Sequence, residues 1–198
     1  MVFKDAYPGS EKTCVSSDGE LYDRFLNGDV SSYDQLMIRH GDHLVFFIYG
    51  YTHDLHDAED LMIEAFARIM VRKPRIKQDY FKTYLYRTAR NLALRFHERR
   101  TRFRTFSIDD LNGEVADPVL TEKLLADSER NRALHMCLDR IDPRMKEALW
   151  LFYFEGMTYV QIADVMKLRK KQVDHLLERG KKKMREELRK EGIEDAQQ

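Results

Sequence analysis

Residues 156–184 read GMTYVQIADVMKLRKKQVDHLLERGKKKM, and this stretch decides the fold of the last third of the chain. Apolar residues recur at helical spacing on either side of a break at Leu168, which indicates two amphipathic helices joined by a tight turn. Ala163 is small at the point where the two helices must approach closely, and the second helix opens with Arg169, Lys170 and Lys171. The pattern predicts a helix-turn-helix with a basic second helix.

The second helix of such a motif reads base edges in the major groove with side chains near its N-terminus. Arg and Lys can pair with guanine and Gln with adenine, and this helix carries all three residue types. The alternative is a helical hairpin whose basic end is solvated or docks another protein. We favour DNA reading and expect the contacts to come from Thr158, Arg169, Lys170, Lys171, Gln172, His175 and Arg179.

Charge is sorted along the chain, although the formal net charge is zero. Residues 72–104 hold twelve Lys or Arg against two acids, a local charge of +10, and residues 167–190 hold eleven against four, a local charge of +7. Residues 105–131 between them carry a local charge of −5. This layout predicts two basic modules joined by an acidic linker, each able to bind nucleic acid locally.

Helical periodicity without strand alternation predicts an all-α chain made of two helical modules. The first helix is expected over 20–27, the third starts near His56 and the fourth starts at Asp79, while a further helix is expected over 119–140. We therefore divide the chain into a flexible N-terminal tail at 1–19, a first module at 20–104, a linker at 105–118 and a second module at 119–198.

The helix that starts near His56 is acidic on one face and has no Lys or Arg between Asp54 and Ala67. Acids in the first turn of a helix complement the helix dipole, which explains Asp57, Glu59 and Asp60. The dipole does not explain Glu64, which lies two turns into the helix. The functional interpretation is a docking face for a basic partner surface. Periodicity alone leaves both interpretations open for Asp57, Glu59, Asp60 and Glu64.

The fourth helix mixes Phe, Tyr and Arg, a composition typical of proteins that bind single-stranded or melted nucleic acid. Aromatic rings stack on unpaired bases while Arg follows the phosphates. The competing explanation is that the apolar and aromatic side chains simply form the core, which we expect for most of Phe81, Tyr84, Leu85 and Phe96. Side chains nearer the edge of that apolar face remain candidates for DNA contact: Tyr80, Tyr86, Asn91 and His97.

Four histidines lie close together in sequence and raise the question of a metal-dependent phosphohydrolase built on helices. They are His40, His43, His53 and His56, and His53 is followed by Asp54. A metal site needs converging ligands, and no further His-Asp pair follows at useful spacing. We therefore predict isolated surface histidines, with no metal, no cofactor and no catalytic residue.

The remaining composition indicates a cytoplasmic protein without membrane insertion. Cys14 and Cys137 are far apart and lack zinc-ligand spacing. No run of eighteen apolar residues is present. The first ten residues lack the apolar segment of a signal peptide.

Three motifs occur in a specific order between residues 57 and 188: DAEDL at 57–61 followed by EAF at 64–66, YLYRTARNLAL at 84–94, and the helical segment 138–188. In this order they resemble the small two-domain bacterial sigma factors of the extracytoplasmic-function (ECF) type, in the housekeeping-sigma superfamily. The first motif is similar to the region 2 helix that binds the clamp coiled coil of RNA polymerase. The second is similar to the WLYRIARN run that melts and reads the −10 promoter element, and the third to region 4, which reads the −35 element.

The resemblance implies a transcription initiation factor that makes and breaks no bond. Its expected partners are core RNA polymerase and promoter DNA, and an anti-sigma factor is a further partner of such proteins. Asp57, Glu59, Asp60 and Glu64 would bind polymerase. Contacts to the non-template strand of the −10 element would come from Tyr84, Tyr86, Arg87, Arg90, Asn91, Arg95, Arg99 and Arg100.

The chain departs from the family pattern at several positions. Tyr84 stands where the family usually has Trp and retains a ring. Residues 171–176 read KQVDHL where the family commonly shows GTVKSR, so Asp174 and Leu176 replace two basic residues. The resemblance therefore does not fix the −35 contacts residue by residue, and Arg169, Lys170 and Lys171 are the expected source of positive charge.

A stand-alone helix-turn-helix transcriptional regulator is the main rival interpretation. It accounts for the C-terminal motif but leaves the acidic face of the third helix without a role. The phosphohydrolase is a more remote rival, because it requires a bound metal.

Overall fold

A computed structural model describes residues 16–104, 137, 138 and 140–190 of the 198-residue chain. Every regular element within these ranges is helical, and the chain divides into two compact units, described within Cys14–Asp117 and within Pro118–Gln198. The prediction of an all-α chain with two helical modules is confirmed for the described part. Residues 1–15, the acidic linker at 105–118 and most of the helix predicted at 119–140 lie outside the described residues.

The first unit consists of α1 (Asp18–Leu26), α2 (Val30–Thr52), α3 (Leu55–Arg72), a single 3₁₀ turn (Gln78–Tyr80) and α4 (Phe81–Arg104). The long helix α2 packs against the other three helices, and α3 also packs against α4. Aromatic side chains bury large apolar areas and dominate this core. The largest of them that are fully buried are Tyr22, Tyr33, Phe66, Phe81 and Tyr86.

Helix α1 begins at Asp18, two residues before the predicted start. The Ser17 hydroxyl accepts a hydrogen bond from the Glu20 backbone N–H at 3.2 Å, and the Glu20 carboxylate accepts one from the Ser17 N–H at 2.7 Å. This reciprocal capping box satisfies two N–H groups at the helix start. The predicted tail at 1–19 therefore extends too far, because its last two residues belong to α1.

Asp18 ties α1 to α2. Its carboxylate lies 2.8 Å from His40 Nε2 and 2.6 Å from Arg39 Nη1, and Arg39 also donates to the Ser16 carbonyl at 3.0 Å. Burial raises the pKa of Asp18, but the hydrogen bonds and charges of His40 and Arg39 outweigh burial and hold it below its ordinary value. His40 is buried and engaged by this carboxylate, so the prediction of an isolated surface histidine is wrong at this position.

The second unit contains α5 (Pro143–Tyr153), α6 (Tyr159–Met166) and α7 (Lys170–Lys190), which pack against one another. Pro143 occupies the first turn of α5, and the Asp142 carboxylate accepts the Arg144 N–H at 3.0 Å. The chain turns between α6 and α7 at Lys167, whose backbone is left-handed with φ 55°. The buried side chains include Leu149, Ile162, Val165, Val173, Leu177 and Met184.

Gly180 marks the closest approach between α7 and α5. A Cβ atom at this position would lie 3.1 Å from Leu149 Cδ1 and 3.2 Å from Leu149 Cγ, tighter than ordinary van der Waals contact. Both residues are buried. The absence of a side chain at Gly180 therefore lets the two helix backbones pack closely, although glycine inside a helix costs about 1 kcal/mol relative to alanine.

None of the helices in the described ranges combines the length and the low polarity needed to cross a membrane.

Replacing Asp18 by Asn is expected to lower the free energy of unfolding of the first unit by about 1–3 kcal/mol at pH 7, because buried His40 loses its charged partner. Since the pKa of Asp18 is depressed in the folded state, its stabilisation is complete above the unfolded-state pKa. It is lost as the pH falls through the folded-state pKa. Wild-type stability should thus decline more steeply than that of D18N below about pH 4.

The measurement is urea unfolding followed by circular dichroism over a series of pH values. Trp150, the single Trp of the chain, reports separately on the second unit by its fluorescence. Asp23→Asn removes an exposed carboxylate from the same helix and serves as the control. Equal stability of D18N and D23N would contradict a structural role for the Asp18 contacts.

Candidate nucleic-acid interface

The acidic face of α3 holds its carboxylates in different environments. Glu64 pairs with Arg68 one turn later at 2.6 Å, and Glu59 lies 3.9 Å from His56 Nδ1. Asp60 is exposed and has no ion pair or hydrogen-bond partner among the described residues. Asp60 is therefore the carboxylate of this face most available to a partner.

Asp57 joins the acidic face to α4. Its Oδ2 atom lies 3.4 Å from Arg100 Nη1, which connects residues 43 positions apart in sequence. Partial burial, followed by the neighbouring carboxylate of Asp54, raises the pKa of Asp57, while Arg100 opposes the shift. An ion pair with this exposure contributes little to stability, so its main effect is to set where the two side chains lie.

Exposed apolar side chains accompany the acids on α3, a feature that the sequence analysis missed. Ile63 is 53% exposed and Val71 is 78% exposed, and helical spacing places Ile63 beside Asp60. Met70 is 41% exposed although it fits the apolar spacing of the helix. Single exposed apolar side chains are common on protein surfaces, but Ile63 and Val71 lie on the same side of α3 as Asp60, so a partner that binds this face would cover them. The sequence could have shown this feature, because Ile63 and Val71 do not follow the helical spacing of the residues expected to be buried in α3.

A cationic stripe runs along the outward side of α4. Tyr84, Arg87, Asn91 and Arg95 follow one another at helical spacing, and none of them is buried. The Arg87 guanidinium carbon lies 5.1 Å from the centroid of the Tyr84 ring, which orders both side chains. Arg99 is also exposed one turn beyond Arg95, so guanidinium groups and a ring lie together on this face.

The structure separates three predicted contacts from this stripe. Arg100 turns toward Asp57 on α3, and helical spacing places Arg90 beside the stripe. Tyr86 is fully buried and packs 5.1 Å from the Phe47 ring, measured between ring centroids. The prediction that Tyr86 contacts DNA is therefore wrong, because helical spacing places it with buried Ala89 and Ala93.

The helix-turn-helix begins at Thr158, which caps α6. The Thr158 hydroxyl accepts the Gln161 N–H at 3.4 Å and donates to the Gln161 side-chain oxygen at 2.9 Å. The same side-chain oxygen accepts the Thr158 N–H at 2.9 Å. The side chain of Thr158 therefore caps α6. Because Thr158 is exposed, a phosphate could also approach the start of α6.

Gln172 has a comparable role at the start of α7. Its side-chain oxygen accepts the Arg169 N–H at 2.8 Å. Reading adenine through two hydrogen bonds requires both the oxygen and the nitrogen of a Gln amide. In this conformation the Gln172 oxygen already accepts one hydrogen bond, so reading adenine would require it to accept a second one through its other lone pair or to release the Arg169 N–H.

The remaining predicted contacts of α7 are exposed and cationic or titratable: Arg169, Lys170, Lys171, His175 and Arg179. Val173 and Leu177 are buried and anchor the helix, while Leu176 is half-buried between the two faces. Leu176, where the family pattern has a basic residue, therefore contributes to packing. Asp174 is exposed.

Within the described ranges, no three His, Cys, Asp or Glu side chains lie together as a metal site would require. His53 ends α2 in a left-handed conformation with φ 53°, and His56 is exposed. His40 contacts Asp18, as described above. The histidines therefore do not converge on one point.

Two family models match the chain in the order of its two units. Sigma-70 region 2 matches residues 36–103, which contain most of α2 together with α3 and nearly all of α4. Sigma-70, region 4 matches residues 131–184, which contain α5, α6 and most of α7. The acidic face and the cationic stripe lie in the first match, and the helix-turn-helix lies in the second.

Curated proteins similar to this chain are RNA polymerase sigma factors. The ECF RNA polymerase sigma factor SigE of Mycolicibacterium smegmatis is 29% identical over 167 residues, covering 84% of this chain and 65% of SigE. The RNA polymerase sigma-H factor of Pseudomonas aeruginosa is 28% identical over 158 residues, covering 75% of this chain and 82% of that protein.

A solved structure shares the fold. The sigma factor RpoE of Bartonella quintana, crystallised with the anti-sigma factor NepR, superposes with a TM-score of 0.67 at 17% identity. The match covers 79% of this chain and 96% of RpoE.

The two family-model matches and the curated relatives place these two helical units in the class of transcription initiation proteins. The chain belongs to the sigma-70 family, in the ECF group of RNA polymerase sigma factors.

Replacing Tyr86 by Ala is expected to lower the free energy of unfolding by about 3–5 kcal/mol, because a fully buried ring leaves a cavity. Replacing half-buried Tyr84 by Ala should cost about 1 kcal/mol or less. Urea unfolding of both variants followed by circular dichroism measures the difference. Similar losses in the two variants would contradict the assignment of Tyr86 to the core and Tyr84 to the surface.

Proposed function

We propose that this chain binds core RNA polymerase and directs it to promoters by reading the −10 and −35 elements. The observation that carries the proposal is the separation of charge within one small unit, where α3 presents acids and α4 presents guanidinium groups. A protein that reads DNA alone needs only the second surface. Both surfaces have a use when the chain must hold an enzyme and DNA at the same time.

The α3 face is proposed to bind polymerase through Asp57, Glu59, Asp60 and Glu64. A basic coiled coil on the enzyme complements these carboxylates, and complementary charge accelerates encounter and fixes the register of docking. Exposed Ile63 and Val71 add apolar area that the partner would cover. Apolar burial supplies affinity that exposed ion pairs alone do not.

The α4 stripe is proposed to hold the melted non-template strand of the −10 element. Tyr84 offers a ring on which an unpaired base can stack, and Asn91 lies within the same stripe for hydrogen bonding to a base edge. Phosphate contacts are assigned to the guanidinium groups of α4. Arg87, Arg95 and Arg99 lie within the stripe, Arg90 lies beside it, and Arg100 would exchange its contact with Asp57 for a phosphate.

The helix-turn-helix is proposed to read the −35 element as duplex DNA. The N-terminal turns of α7 carry Arg169, Lys170, Lys171, His175 and Arg179 into the major groove, where Arg and Lys favour guanine. The capped start of α6 at Thr158 lies on the phosphate backbone, as the first helix of such motifs does.

The proposed domain limits match these separate binding functions: region 2 at 20–104 with the two residues of α1 before it, a linker at 105–118 and region 4 at 119–198.

Two modules held by polymerase at a fixed spacing gain effective concentration on DNA. Free protein is therefore expected to bind promoter DNA weakly, and the complex with polymerase to bind it strongly. Core RNA polymerase and promoter DNA are in the bacterial cytoplasm, so we propose that the chain acts there. No catalytic role is proposed for it.

An anti-sigma factor is proposed as a further partner. Support comes from the structural relative RpoE, which was crystallised with the anti-sigma factor NepR. Such a partner would block promoter binding by covering the polymerase-binding or DNA-binding surfaces. A stand-alone transcriptional regulator is the rival proposal, and it leaves the acids and exposed apolar side chains of α3 without a function.

The double substitution Asp60→Lys and Glu64→Lys separates these proposals. Reversing two charges on the docking face is expected to weaken binding to bacterial core RNA polymerase at least tenfold, because attraction to the basic surface becomes repulsion. Binding is measured by fluorescence anisotropy of labelled protein at low salt. Circular dichroism melting should change little, because both positions are exposed and the lost Glu64–Arg68 pair contributes only about 0.5 kcal/mol.

The matched control is Asp34→Lys with Asp42→Lys, which makes the same charge change at exposed positions of α2. This control should keep its affinity for core polymerase. Full affinity in the α3 double variant, with the fold intact, would count decisively against polymerase docking through α3.

A further inference from the structure

Two exposed acids lie on the otherwise basic outer face of α7. Asp174 follows Lys171 by three residues and precedes Glu178 by four, so all three side chains share one stripe of the helix. Asp174 is near the N-terminal end of α7, the end that approaches bases in a helix-turn-helix, and Glu178 lies one turn farther along. A carboxylate is an unexpected side chain on a surface that meets phosphates.

Asp174 is not neutralised within the protein. Lys170 and Lys171 lie one turn before it, yet neither forms an ion pair with it, and no hydrogen-bond partner for Asp174 occurs among the described residues. Its lone pairs are therefore free to accept hydrogen bonds from a partner. An ionised carboxylate accepts hydrogen bonds and donates none.

The edges of the bases in the major groove decide which partner fits. Guanine presents two acceptors, thymine presents an acceptor and a methyl group, and adenine presents an acceptor beside its amino group. Each of these acceptors repels a carboxylate. Cytosine presents only the N4 amino group, a donor, so it is the base that a carboxylate selects.

We propose that Asp174 reads a cytosine through its N4 amino group and thereby sets the base preference of this chain at one position of the −35 element. The inference rests on the proposed function of α7 and adds the residue that determines specificity. In this arrangement Lys170 and Lys171 hold the neighbouring phosphates or guanines, and their attraction offsets the repulsion between Asp174 and the DNA backbone.

The test uses the complex of the chain with core RNA polymerase and a promoter library randomised over the −35 element. Bound sequences are selected and counted for the wild type, Asp174→Ala, Asp174→Asn and the matched control Glu178→Ala. The wild type should prefer cytosine at one position by about tenfold. D174A should lose that preference and keep the others, and D174N should shift it toward adenine, which an amide reads with two hydrogen bonds.

The control separates base reading from a general effect of charge. E178A should keep every base preference while binding all sequences somewhat more tightly, because one negative charge near the phosphates is gone. The same uniform gain in D174A, with the cytosine preference intact, would overturn the inference while leaving the proposed function standing. A wild-type complex that selects no −35 sequence would overturn both.

Discussion

The burial of one face of α4 against α2 and α3 is the constraint on which the first unit depends. Phe81, Leu85, Ala89 and Leu92 are almost completely removed from water, and their spacing fixes the rotation of the helix about its axis. The opposite face must then be exposed, and the chain places guanidinium groups there. The direction in which α4 presents positive charge is therefore a consequence of hydrophobic packing.

Several polar side chains near the proposed functional surfaces also make contacts that stabilise the fold. Thr158 and Gln172 complete helix caps, Glu64 pairs with Arg68, and Asp57 contacts an arginine of α4. Each interaction satisfies a local group at little cost and can be exchanged for a partner of the same kind. Asp60 and Asp174 are different, because both are exposed and have no such contact within the described ranges.

The all-α class, the two modules and the helix-turn-helix could be predicted because apolar spacing and turn residues are local signals. The start of α1 was misjudged, since Ser17 and Glu20 stand in a stretch whose Ser and Gly content resembles a tail. Tyr86 was misassigned because a ring beside arginines fits both a core and a DNA contact. The ion pair of Asp57 with Arg100 joins distant positions, and local spacing carries no information about such pairs.

The close approach at Gly180 has a geometric consequence for the helix that bears the recognition side chains. Lys170 lies ten residues earlier on α7, about 15 Å along the helix axis from this contact. A small tilt of α7 over Leu149 would act as a lever and displace the far end by a larger amount than the pivot itself. The glycine at position 180 therefore affects the orientation of the recognition side chains at the N-terminal end of α7, although it does not contact them.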